Sequence, residues 1–428
     1  MNIYERAIRD QREELYSTDY TQFIHRKEEN AIDLNSRLAQ IVIGVRRCGK
    51  STLCQMALME SKVRFAYINF DDEVFASLQA TQLNNILETL YHIYGPFTHL
   101  FMDEIQNIPQ WHLFVNRLLR QGLHLVLTGS NANLLSGELS THLTGRYNEI
   151  RLYPFSFAEY CQAKGIPDDT LTTKSSGLLL NALDAYLMNG GFPETLYMTR
   201  QDKYITSLYT AIISKDICMR YKVRYKNTLL QMANALLDHA CQEVSYGKIK
   251  TNYQFSSIHT AMNYVSYLQS AFLLRLVPKY SFKSIERQTN RKSYSIDNAF
   301  ISSHGETLQT ENLGWRLENV IAIELLRRME YETQQLFFLC QPKSYEVDFA
   351  IVDRSRVVQL IQVTYDFTNP NTKLYNREIG GLLKGSAATR CNNLTLIMMT
   401  GDAGVITVDG KKIHRVLAKD WLLGRESQ

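Results

Sequence analysis

The stretch that decides the fold is IVIGVRRCGKSTL, Ile41–Leu53. An apolar run fit for a buried strand stops at Gly44, turns through two arginines to a second glycine, and continues from Lys50 into TLCQMALMES, which reads as a helix. Gly44, Gly49, Lys50 and Ser51 fill the four fixed positions of G-x-x-x-x-G-K-[ST]. Glycines at those places let a loop curl until its backbone N–H groups converge, and the helix N-terminus adds its positive end to the same point. The stretch therefore reads as a cradle for a nucleotide's phosphates, made by Gly44, Arg46, Arg47, Cys48, Gly49, Lys50, Ser51 and Thr52. Lys50 is placed to reach the β- and γ-phosphates and Ser51 to ligate Mg2+, so ATP and Mg2+ are the expected cofactors.

Working outward, apolar strands are expected at 63–70 (VRFAYINF), 98–104, 123–131 and 147–152, with helical segments between them. The second ends in Asp103-Glu104. A carboxylate there would hold the Mg2+ through water, and its neighbour Glu104 would orient the attacking water. The third ends in Ser130-Asn131, either of which is a candidate for sensing the γ-phosphate; Asn131 is counted with the catalytic group. Arg146, just before the last strand, is a candidate for the transition-state phosphoryl group, in its own subunit or across an oligomer interface. Strands alternating with helices, with the ligand at the strands' carboxyl ends, predict a three-layer α/β domain on a parallel sheet.

A chain of 428 residues exceeds what one core organises, and 45% apolar with 21% charged residues describes folded protein. No apolar stretch has the length of a signal peptide's core or a membrane span, so a cytoplasmic protein with no membrane partner is expected. Seven cysteines without C-x-x-C spacing and ten histidines without H-E-x-x-H predict neither a disulfide framework nor a structural metal. The net charge of +4 is uneven: residues 200–300 hold 15 Lys and Arg against 6 Asp and Glu, which marks that segment as the place for a polyanionic partner.

GVRRCGKSTL, LFMDEIQ, LTGSNANLL, LTGRY and LYPFSFAEY, in this order, resemble the AAA-type P-loop ATPases of bacteria and archaea that carry a C-terminal domain related to restriction-endonuclease folds. Cys48 stands where that family usually has serine, a position expected to contribute its backbone. The resemblance continues through Tyr186–Glu194 and Ser214–Ile217, which look like the family's helical lid. It implies an ATPase domain at 1–165, a lid and linker at 166–226, a winged-helix-like module at 227–300 and a nuclease-like α/β domain at 301–428.

From Asn227 to Tyr280 two helical patterns around a turn, then a strand, fit a winged helix-turn-helix, with Ser256 or Ser257 capping the second helix. Lys248, Lys250, Arg275, Lys279, Lys283, Arg287, Arg291 and Lys292 are candidates for phosphate-backbone contacts. That second helix has no Lys or Arg, so DNA and a protein partner both stay open. In the tail, Glu318, Asp348 and Gln362-x-Thr364 resemble the helix glutamate, strand aspartate and (E/Q)-x-K of the PD-(D/E)XK core. The last position lacks its lysine, so the fold is expected without the cutting; Lys373 and Arg377 are possible spatial substitutes. The expected function is Mg-dependent ATP binding and hydrolysis coupled to movement of DNA- or protein-binding modules, in a possible homo-oligomer. A nucleotide-gated switch with little turnover and an ATP-dependent nuclease are the alternatives.

Overall fold

The computed structural model describes residues 3–130, 143, 145–168, 172–302, 312–330 and 332–425. It divides into two compact units, Met1–Pro154 with Ser270–Phe272, and Phe155–Gln269 with Leu273–Gln428. Among the described residues no helix is long and apolar enough to cross a membrane.

The first unit holds β1 (Ala39–Ile43), β2 (Phe65–Asn69), β3 (His99–Asp103), β4 (His124–Gly129) and β5 (Tyr147–Arg151). They form one sheet in the order β2-β3-β4-β1-β5, with every pairing parallel. All five residues of β1 and of β3 are buried. Strands covered on both faces need continuous apolar sequence, which is why AQIVI and HLFMD show no alternation. Helices supply the cover. Trp111–Arg120, for example, buries Trp111, Phe114, Val115 and Leu118, the i, i+3, i+4, i+7 spacing of one helical face. The strands expected from sequence are each present, trimmed by a residue or two at their ends.

In the second unit, β6 (Leu274–Pro278) and β7 (Arg291–Ser295) form an antiparallel hairpin. Three helices precede it, Lys226–Asp238, Tyr246–Asn252 and Ile258–Ser270. Ser257 caps the third, its hydroxyl accepting the Thr260 N–H at 3.2 Å. The sheet that follows comprises β8 (Gln334–Gln341), β9 (Tyr345–Asp353), β10 (Arg356–Asp366), β11 (Leu394–Thr400), β12 (Gly404–Val408) and β13 (Lys411–Leu417), in the order β12-β13-β11-β10-β9-β8. The helix Thr372–Thr389 crosses from β10 to its parallel neighbour β11. Two glycines let that helix lie close to β9. A Cβ at Gly381 would meet Glu346 O at 2.7 Å, and one at Gly385 would meet Val347 Cγ2 at 2.8 Å.

The expected boundaries at 226 and 300 fall inside this second unit. A buried polar knot shows why. Asp297 accepts the Gly191 N–H at 2.9 Å and the Ala299 N–H at 2.8 Å, while the Asn298 amide donates to Leu187 O and Arg316 O. The Asn319 side chain exchanges two hydrogen bonds with the Ser295 backbone. Residues from the supposed lid, wing and tail thus satisfy one another's buried donors, each costing about 1–3 kcal/mol if left unpaired. Gly190 is part of the same arrangement: its φ is 73°, and a Cβ there would fall 1.6 Å from Asp297 Oδ1. Burial pushes the Asp297 carboxyl up to about 6, against the pull of those two N–H donors.

Candidate functional site

β1, β3 and β4 run in the same direction, so their following loops gather on one edge of the first unit's sheet. After β1 the chain enters the glycine loop. Gly49 has φ 97°, a conformation that favours glycine, and Arg47 also has a positive φ, 67°. Gly44 is required for a different reason: a Cβ there would sit 2.1 Å from Leu152 O and 2.9 Å from Cys48 Sγ. Cys48 is therefore more than a backbone position. Its side chain is fully buried, with Sγ 3.5 Å from Leu152 O, and its carbonyl accepts from the buried Arg26 guanidinium at 3.2 Å. Burial raises the Cys48 thiol above its ordinary value. Arg46 pairs with Asp71 at 3.3 Å, and Arg47 is exposed.

The helix Lys50–Glu60 starts at the loop's end, and the first N–H groups of any helix have no intrahelical acceptor. Lys50 is buried, with Nζ 3.2 Å from Val45 O and 3.8 Å from Glu104 Oε1. Thr52 is the third residue of this helix and is half-buried. The Ser51 hydroxyl donates to Asp103 Oδ1 at 3.0 Å, and the Thr128 hydroxyl donates to the same oxygen. Burial, then the neighbouring Glu104 charge, push the Asp103 carboxyl up to about 6, opposed by Thr128, Ser51 and Lys50. Glu104 itself adopts φ 51°, with its N–H bonded to Thr128 Oγ1 at 2.9 Å. That left-handed turn takes Glu104 off the strand at the place where Lys50 lies. Gln106 joins it, its amide donating to Glu104 Oε2 and, at 3.3 Å, to Ser130 Oγ.

The structure thus brings Lys50, Ser51, Asp103, Glu104 and Ser130 to one edge. Thr128, Gln106 and Arg26 belong with them and were not singled out from sequence; a threonine near the end of an apolar strand and a glutamine two residues past the acid pair were the available signals. Asn131 lies outside the described residues. Arg146 is elsewhere. Its carbonyl accepts the Ala39 N–H at 3.0 Å, which sets it beside the first residue of β1, at the amino edge of a parallel sheet. Five residues of strand at about 3.3 Å each put roughly 16 Å between it and the loop. Action on a phosphoryl group within its own subunit is therefore not supported, because the residue preceding a parallel strand lies at the opposite end from the residues that follow one.

Ser51 Oγ and Asp103 Oδ1 are hard oxygen donors in contact, the kind Mg2+ takes, so these residues fit that ion. When bound, Mg2+ would neutralise charge on the β- and γ-phosphate oxygens.

In the second unit, Glu318 (helix Leu313–Arg328), Asp348 (β9) and Gln362 (β10) also meet. Asp348 Oδ2 accepts the Val363 N–H at 2.9 Å, and Gln362 Oε1 accepts the Asp348 N–H at 3.3 Å. Thr364 is buried two residues further along β10. Of the substitutes considered for the missing lysine, Lys373 is exposed and Arg377 pairs with Glu378. The ammonium among the acids is instead that of Lys292, on β7. Its Nζ lies 3.3 Å from Glu318 Oε1, 2.5 Å from Glu346 Oε1 and 3.8 Å from Asp348 Oδ1. Lys292 was expected among the DNA-backbone contacts; it is buried, and strand alternation turns it and Tyr294 to the same face, where the Tyr294 hydroxyl donates to Glu318 at 3.0 Å. Burial disfavours its charge, but Glu318, Asp348 and Glu346 outweigh that and hold its pKa well above the usual value. Burial and Glu318 hold Asp348 well above the usual carboxylate range.

Residues 36–161 match a family described as AAA domain, and 180–311 match one described as a domain of unknown function (DUF8612). The uncharacterized protein MJ1544 of Methanocaldococcus jannaschii is 32% identical over 386 residues, covering 87% of this chain and 85% of its own length. An uncharacterized protein of Haemophilus influenzae is 29% identical over 411 residues, covering 90% and 94%. Among solved structures, the Walker-type ATPase PABY2304 of Pyrococcus abyssi aligns at TM-score 0.44 and 13% identity, over 65% of this chain and 95% of that one. The chain belongs to the same family as MJ1544, and its residues 36–161 match the AAA domain.

Proposed function

We propose that the first unit binds Mg-ATP and hydrolyses it, and that the cycle moves a DNA-binding module in the second unit. The observation that carries this reading is the convergence of Lys50, Ser51, Asp103 and Glu104 on the carboxyl edge of β1 and β3. Gly44, Arg46, Arg47, Cys48, Gly49 and Thr52 form the phosphate cradle. Lys50, once turned from Val45 O, neutralises the β- and γ-phosphates; Ser51 and Asp103 hold Mg2+. Glu104 takes the proton of the attacking water, with Gln106 and Ser130 fixing its carboxylate. Arg146, at the amino edge, is assigned to a neighbouring subunit's phosphates in a homo-oligomer.

The helices Lys226–Asp238, Tyr246–Asn252 and Ile258–Ser270 with the β6–β7 hairpin follow the element order of a winged helix. Lys248, Lys250 and Lys283 are exposed, and Arg275, Lys279, Arg287 and Arg291 are half-buried. The exposed face of the third helix, Ile258, His259, Met262, Asn263 and Ser266, carries no formal charge, which favours phosphate contacts over base reading. Ile258 and Met262, 47% and 42% exposed, favour the second reading, a protein partner. Titrating salt against duplex DNA binding separates the two. Three lysine–phosphate contacts give a slope of about −3 in log affinity against log salt; no DNA binding even at low salt would leave the protein partner.

A further inference from the structure

We infer that the first unit carries a site for a divalent transition-metal ion of the zinc class, built from His25, Glu29 and Glu60 and separate from the nucleotide cradle. His25 precedes the short turn Lys27–Ala31, which holds Glu29, and Glu60 is the last residue of the helix Lys50–Glu60. The fold brings one ligand atom from each to within 4.8 Å of the others. Among the described residues no other group of three or more His, Cys, Asp or Glu side chains does so.

Geometry is the first argument. His25 Nε2 lies 3.4 Å from Glu60 Oε1. Two ligands of a tetrahedral ion with bonds of about 2.1 Å stand about 3.4 Å apart, so an ion fits against both atoms with little movement. The other ring nitrogen, Nδ1, lies 2.9 Å from Glu29 Oε2. A carboxylate in that place fixes the tautomer and the plane of a metal-bound imidazole. Glu29 is itself held, its Oε1 accepting the Arg26 N–H at 2.8 Å, whereas His25 and Glu60 are exposed and leave the ion a way in.

Charge is the second. Among the described residues both carboxylates have their ion-pair contacts with His25 and none with Lys or Arg. Beside a neutral imidazole that leaves two negative charges. Glu60 also stands at the negative end of its helix, whose last turn holds no basic residue, so the dipole disfavours its charge. One divalent cation answers both deficits. An imidazole with carboxylates suits Zn2+, Ni2+ or Cu2+, whereas Mg2+ takes oxygen ligands.

The ion acts as a brace. Arg26, next to His25, reaches the glycine loop, its guanidinium donating to Cys48 O at 3.2 Å. The segment 25–29 therefore meets the start of the helix Lys50–Glu60 through Arg26 and its end through His25. Closing the second contact with a metal fixes that segment along the helix that carries Lys50 and Ser51.

The test uses the full-length chain, stripped of metal with a chelator and then supplied with excess Mg2+ to fill oxygen-only sites, with Zn2+ binding followed by titration calorimetry. One bound Zn2+ is expected, and with it a rise in the thermal midpoint. Binding should be lost in His25→Ala and weakened at least tenfold in Glu60→Gln and in Glu29→Gln. His25 and Glu60 are exposed, so their variants keep the fold, which circular dichroism checks. With Cu2+ as the probe, electron paramagnetic resonance should show nitrogen hyperfine splitting from one imidazole, absent in His25→Ala. No uptake of Zn2+ would mean that the three side chains form only an ion pair around a protonated imidazole, and would overturn the inference. So would Zn2+ bound equally by wild type and His25→Ala, an adventitious ion only.

Discussion

Replacing Glu104 with glutamine is expected to slow phosphate release from ATP by about 10²- to 10⁴-fold while leaving ATP bound. The carboxylate is held in a left-handed turn, tied through its backbone to Thr128 and through its side chain to Gln106, with Lys50 Nζ 3.8 Å away. Glutamine preserves the shape and most of those bonds but cannot accept a proton from water. The Lys50 ammonium and the Asp103–Ser51 pair remain for the nucleotide. A single-turnover assay with radiolabelled ATP checks both halves. Equal rates in wild type and variant would remove Glu104 from the chemistry and leave a nucleotide-gated switch as the better reading.

The other large effect is expected from Gly44→Ala. The new Cβ would lie 2.1 Å from a backbone oxygen of Leu152, and no side-chain rotation relieves a clash with the main chain. Leu152 is anchored in turn, its N–H bonded to Ile43 O at 2.7 Å. The loop must therefore move away from the sheet edge, taking Cys48 and Lys50 with it. ATP affinity should fall by at least 100-fold, with a stability loss of about 1–3 kcal/mol as in other overpacked sites. Denaturant unfolding alongside fluorescent-nucleotide binding distinguishes these. Unchanged affinity would mean that the phosphates do not sit in this loop.

The parallel sheet and the cradle were legible in the sequence because both are local. Strands buried on two faces appear as unbroken apolar runs, and the glycine loop fits within eight residues. What escaped depended on distant segments meeting. Lys292 lies 26 residues before Glu318, in RKSYS, a strand with one aromatic and no aliphatic residue; its polar character suggested surface, whereas pairing with β6 turns it inward. The helix Tyr246–Asn252 escaped because YGKIKTN is poor in helix formers; the Ser245 side chain, accepting the Lys248 N–H, starts it. Whether Arg146 acts within its own subunit or on a neighbour's phosphates stayed open in the sequence, because its place before a strand matters only once the sheet's direction sets it at the amino edge. Asp297, Asn298, Arg316 and Asn319 looked like ordinary polar residues until the structure showed them bonded to one another and to the chain around Leu187.

The most direct measurement is titration calorimetry of the folded chain with ATP in Mg2+, set beside Lys50→Ala. A saturable one-to-one heat that is lost in the variant is the expected result. Wild-type protein that takes up neither ATP nor ADP, or binds both as well without Lys50, would contradict the assignment of the glycine loop as the nucleotide's seat.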